Sequence, residues 1–211
     1  MKNWNELYST VMEDLKTQLS PFLTYHHWQH TRHVMDKAEQ IALHENVNPD
    51  EILLIKTAAL FHDAGFINGI NVGHEEESIR LAESKLPEFG YTKEEIATIA
   101  GMIRATILPQ KPKTKLECIL ADADLEYLGT DNYEHIADKL YLELKHYNPN
   151  LSLDEWNEIQ INFLQTHLYR TSYCIENRAP EKNNNLNRLI QKMKKLEKSE
   201  ARSSASTNSS M

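Results

Sequence analysis

Apolar residues recur at intervals of three and four along most of the chain, and the strict alternation of a surface strand is scarce. The pattern predicts helices at about 3–18, 30–46, 50–63, 75–86, 92–105, 114–128, 131–146, 152–168 and 181–198. The stretch NPDEILLIKTAALFHD is the clearest. Asn48 or Asp50 starts it, Ile52, Ile55, Ala59 and His62 share a face, and Gly65 stands where a glycine commonly ends a helix. In YTKEEIATIAGMIRAT, Thr92 and Glu95 form a capping box ahead of a stripe of Ile96, Ile99, Ala100 and Ile103. Pro109 and Pro112 then break the chain. The expected architecture is an all-α, compact single-domain helical bundle. Residues 1–21 supply a helix that packs on it, 22–130 a central core and 131–198 helices that complete the same domain. From 199 to 211 the sequence has almost nothing to bury, and a disordered tail is expected.

Composition narrows what such a bundle can be. With 211 residues, 40% of them apolar, the chain can bury a sizeable core. It has no apolar run long enough to span a membrane, and its first residues lack a signal peptide's apolar segment. Two distant cysteines, Cys118 and Cys174, fit reduced thiols in the cytoplasm. A net charge of −8 argues against bulk nucleic-acid binding, but not against an anionic small substrate held through a metal. The basic amphipathic end NRLIQKMKKLEK suits docking on the domain or on a second copy, which makes a homodimer one assembly the chain allows.

Certain polar residues fall on faces that should be buried. His62 and Asp63 sit at the end of an apolar helix, where unsatisfied polar groups are costly. Alone they would read as a satisfied core histidine and a helix-end cap, but they have company. His30 shares the face of Val34, Ala38, Ile41 and Ala42, and His26 approaches from the preceding loop. In LECILADADLEYLG, residues Leu116, Ile119, Leu120, Ala123 and Tyr127 cluster on one face. Asp124 borders that face, whereas Asp122 falls well outside it and reads as a solvated or outer carboxylate. Two imidazoles and two carboxylates, on different helices or adjacent in one, His30, His62, Asp63 and Asp124, form a mixed N/O set that suits a divalent transition metal in a bundle core.

These residues resemble the HD-domain superfamily of metal-dependent phosphohydrolases over roughly 22–130. YHHWQHTRHV is similar to the opening motif of its cyclic-nucleotide phosphodiesterase branch, LFHDAG to the signature doublet, and ADLEYLG to the segment that carries the last ligand. The resemblance implies a divalent ion (Mn, Mg, Fe, Co, Ni or Zn) on His30, His62, Asp63 and Asp124, and hydrolysis of a small phosphorylated substrate, a nucleotide or cyclic nucleotide. It makes His26 a general acid and, through GHEEESIRLAESKL, places His74 and Glu75 beside the metal as proton-handling groups. Asp63 counts among the catalytic residues as well as the ligands. Arg104 and Thr106 are the candidates for substrate phosphate, Arg104 because its helix carries an apolar stripe that should turn it inward. One departure from the pattern is that only His74 lies between Asp63 and Asp124, with Thr106 near the place of a further histidine. That weakens the alternative of a di-iron oxygenase, while retention of all four ligands weakens that of a non-catalytic sensor or adaptor.

Overall fold

The computed structural model describes residues 2–69 and 72–208, with side chains described as far as residue 195. Among the described residues ten α-helices follow in order: α1 (Trp4–Gln18), α2 (Trp28–His44), α3 (Pro49–Phe61), α4 (His74–Lys85), α5 (Lys93–Arg104), α6 (Lys115–Asp124), α7 (Tyr133–Tyr147), α8 (Leu153–Thr166), α9 (Ser172–Asn177) and α10 (Ala179–Asn208). No strand occurs among the described residues. Local chemistry sets the boundaries. Asn48, rather than Asp50, starts α3: its side chain accepts the Glu51 amide at 3.0 Å, with Pro49 in the first turn. Thr92 and Glu95 close a reciprocal capping box on α5, as Ser152 and Glu155 do on α8.

Three elements differ from the periodicity. The helix expected over 114–128 stops at Asp124 and re-forms as a 3-10 turn, Glu126–Gly129. The short α9 was not legible, because six residues hold too little pattern. The stretch read as a tail from 199 continues the backbone of α10 to Asn208, and 209–211 lie outside the described residues.

Helices α2, α3, α5 and α6 pack around one cluster of fully buried side chains, including Ile41, Ile55, Leu60, Ile99, Ile103, Ile119 and Leu120. α1 and α4 cover its flanks. A second cluster, with Leu125, Tyr127, Leu128, Tyr133, Trp156 and Leu164, joins the 126–129 turn to α7, α8 and α10. Polar residues of interest collect where the two meet.

Gly65 has a role other than the one its place suggests. It lacks the positive φ of a helix-ending glycine, which Gly69, Gly73 and Gly90 have. It lies in a 3-10 turn (Ala64–Asn68) against the start of α4, where an added Cβ would overlap the His74 carbonyl. The Gly65 amide donates to Ser78 Oγ at 2.8 Å. This close approach carries His74 to Asp63. Gly65→Ala is therefore expected to displace the start of α4 and lower the melting temperature by about 5 °C or more, a 1–3 kcal/mol overpacking cost. An unchanged melting curve and unchanged metal affinity would contradict it.

Candidate metal centre and its pocket

α2 delivers His30 from its first turn, where His27 caps the helix by accepting the His30 amide through Nδ1 at 3.2 Å. The end of α3 delivers His62 and Asp63, and the end of α6 delivers Asp124. These four side chains converge. His30 Nε2 lies 3.4 Å from His62 Nε2, 3.4 Å from Asp63 Oδ2 and 3.3 Å from Asp124 Oδ1. His62 Nε2 lies 3.1 Å from Asp63 Oδ2 and 3.6 Å from Asp124 Oδ1. Donor atoms of His30, His62 and Asp124 all fall within 4.8 Å of one another.

Such a cluster suits a cation better than it suits itself. Metal–ligand bonds of about 2.1 Å place neighbouring donors some 3.0–3.4 Å apart. Asp63 Oδ2 is buried and accepts no hydrogen bond, an expensive state for a carboxylate oxygen unless an ion faces it. The His62 tautomer is also set. Its Nδ1 lies 2.7 Å from the Ala59 carbonyl and must donate there, so that in the neutral ring the Nε2 lone pair faces the cluster. Burial pushes the His30 pKa down and favours the neutral ligand form. Burial acts on His62 in the same sense, but the charges and hydrogen bonds of Asp63 and Asp124 together outweigh it and raise that pKa well above the histidine range. Against the cost of burial, the two imidazoles hold Asp124 down at about 2, and His62 holds Asp63 well below the usual carboxylate range. Both acids therefore present charge to the site.

The proton-handling candidates surround this centre. His74 Nε2 is 3.4 Å from Asp63 Oδ1, the oxygen opposite the one facing His30 and His62. Its Nδ1 is 3.5 Å from Glu75, and its ring stacks on Phe66 at 4.0 Å. His26 stacks on the other side of the same region, 4.7 Å from Phe66. A residue outside the sequence reading completes this group. Glu143, buried on α7, accepts the Tyr25 and His26 amides at 2.8 and 3.0 Å and pairs with His26 Nδ1. Burial alone would lower the His26 pKa, but the Glu143 hydrogen bond together with the Asp63, Glu143 and Asp124 charges outweighs it and raises it. An acidic residue within an otherwise apolar helical stripe, YLELKHY, was the one available signal.

Two expectations are corrected. Arg104 does not turn inward: its side chain is 52% exposed and forms a fork with Glu76 at 2.7 and 3.0 Å. The stripe of α5 buries Ile96, Ile99, Ala100 and Ile103, and Arg104 follows it on the solvent side at the helix end. Asp122 is not solvated either. It is fully buried, and its carboxylate accepts the Arg170 amide at 2.9 and 3.0 Å and the Thr171 amide and hydroxyl at 2.7 Å. The chain leading into α9 covers this second face of α6, which no period in the helix could reveal. Thr106 does lie at the site, buried with its hydroxyl donating to Ile103 at 2.8 Å.

The centre opens into a cavity of about 350 Å3, lined by His26, Asp63, His74, Glu75, Thr106 and Asp124 at one end and by α7 and α8 beyond. His167, Tyr169 and Arg170 do not line it. No described helix is long and apolar enough to cross a membrane.

Residues 28–126 match the HD domain family. The fold is similar to the crystal structure of a predicted HD superfamily hydrolase from an uncultured Thermotogales bacterium. That match has a TM-score of 0.53 and 23% identity, and covers 78% of this chain and 90% of the other. None of the curated proteins compared with the sequence matched it.

Proposed function

The chain carries an HD domain over residues 28–126, and from that premise we propose that it is a metal-dependent hydrolase of small phosphate esters. The observation that carries this reading is the convergence of His30, His62, Asp63 and Asp124, with the orphaned Asp63 Oδ2 at its centre. Nucleotides and cyclic nucleotides belong to this class and are the esters the motifs suggest.

In this reading the four side chains would hold one divalent ion, which when bound would polarise a phosphoryl oxygen and make a water acidic enough to attack near neutral pH. Asp63 also faces His74 through its second oxygen, so His74 and Glu75 stand where the proton of the attacking water leaves. The water oxygen bonds to phosphorus as the ester P–O bond breaks. His26 then gives its proton to the departing oxygen, which leaves as an alcohol; a monoester yields inorganic phosphate and a diester a phosphate monoester. Glu143 keeps His26 protonated to higher pH than an ordinary histidine.

That assignment has a sign. A raised acid pKa keeps the active, protonated form populated, and activity is lost as pH rises through it. Glu143→Gln is expected to move the basic limb of the kcat profile to lower pH and reduce kcat by about tenfold to a hundredfold, within the range of general acid catalysis. A variant with lower kcat but an unshifted limb would remove His26 from this role. The proposal as a whole is tested by elemental analysis of the purified protein alongside assays on phosphate mono- and diesters with Mn, Mg, Co, Ni and Zn. Protein that holds no divalent metal, or that hydrolyses no ester with any of them, would overturn it.

A further inference from the structure

The pocket beyond the metal centre has a chemistry of its own. Its walls are Tyr133, Leu140 and Leu144 from α7 and Trp156, Ile159 and Phe163 from α8. Its mouth is also apolar. Ile159 is 50% exposed, Leu108 56%, Tyr147 46% and Leu144 36%, an unusual concentration of large hydrophobic side chains in water around one opening. No lysine or arginine lines the cavity among the described residues. The charged groups there besides the metal-binding acids are the carboxylates of Glu75 and Glu143, and the histidines His26 and His74. Arg104, the best basic candidate from sequence, is held outside by Glu76.

Several polar atoms of the wall are already engaged. Tyr133 donates its hydroxyl to Gln160 Oε1 at 2.7 Å, and Gln160 donates to Asn157 at 3.3 Å. Thr106 donates to Ile103, and the Glu143 carboxylate is taken by Tyr25 and His26. Sugar hydroxyls or a second phosphate entering this space would lose water and find few partners, a cost of about 1–3 kcal/mol for each unsatisfied group. An apolar group would gain about 25 cal/mol for each Å2 removed from water.

We infer that the substrate is an ester with a single ionised group, seated at the metal, and an uncharged aromatic or aliphatic body that fills the α7–α8 cavity. This rests on the phosphohydrolase reading for the reacting end only; the seat for the body is independent of it. The site thereby selects against nucleoside di- and triphosphates and prefers an aryl or alkyl phosphate to a nucleoside phosphate.

Titration calorimetry on the full chain separates the two claims. On the metal-free protein, 2-naphthol, which has no phosphate, is expected to bind at least about tenfold more tightly than adenosine, a ratio that corresponds to burying a few methylene equivalents. On the Mn-loaded protein, naphthylmethyl phosphonate is expected to bind at least about tenfold more tightly than methylphosphonate or ATP. Ile159→Lys, at the exposed mouth, should weaken naphthol binding several-fold without changing the melting temperature. If naphthol binds and the phosphonate gains nothing from Mn, the phosphohydrolase reading fails and the apolar seat stands. If adenosine matches naphthol, or ATP matches the naphthyl phosphonate, the inference is overturned.

Discussion

Replacing Asp63 with alanine is expected to strip the divalent metal from the protein and reduce ester hydrolysis by about a thousandfold or more, the scale of several kcal/mol of transition-state stabilisation. Asp63 supplies a charge to both imidazoles through one oxygen and faces His74 through the other. No neighbouring carboxylate can substitute, because Asp124 already serves the opposite side and Glu75 stands beyond His74. The fold should survive. The removal leaves the buried apolar packing and the Ala59 bond of His62 intact. The distinguishing measurement is the melting temperature with and without metal. Saturating divalent ion stabilises the native protein by mass action, about 2.7 kcal/mol at a hundred times the dissociation constant. The same ion should leave the variant's curve in place. A variant that kept its metal would show that the four-residue centre is wrongly assigned.

The second large effect separates two aspartates two positions apart. Asp124→Ala is expected to lose metal and activity with little loss of stability in the metal-free protein. Asp122→Ala should do the reverse. Its carboxylate takes both amides that open the turn into α9 and the Thr171 hydroxyl. Deleting it leaves buried donors without acceptors, at about 1–3 kcal/mol each. A loss of about 3 kcal/mol lowers the melting temperature of a domain this size by roughly 6–12 °C. Metal content per folded chain should remain near that of the native protein. If Asp122→Ala emptied the site while Asp124→Ala kept it, their roles would be exchanged.

These two variants also bear on the nature of the pocket. Both the metal centre and the apolar cavity depend on α6 handing over to the 126–129 turn, since Asp124 ends the first and Leu125, Tyr127 and Leu128 line the second. Loss of Asp122 should loosen that junction from behind, through the 170–171 segment. Loss of Asp124 acts from the front, on the ligand set alone.

By itself the sequence determined most of the helices and which polar side chains converge as candidate ligands. A helix repeats every 3.6 residues, so a polar side chain on an apolar stripe declares itself locally, and His30, His62 and Asp124 each did so. Caps such as Thr92 with Glu95 are likewise chemistry between neighbours in the chain. Everything settled by contact between distant segments was decided in three dimensions. The turn into α9 covered the face of α6 that seemed open at Asp122. Glu143 reached His26 across more than a hundred residues, Glu76 held Arg104 outside, and His74 pressed its backbone on Gly65. The apolar cavity belongs to this second group. Its walls look like ordinary core positions in α7 and α8, because periodicity records that a side chain faces inward and not whether another side chain or an open space lies opposite.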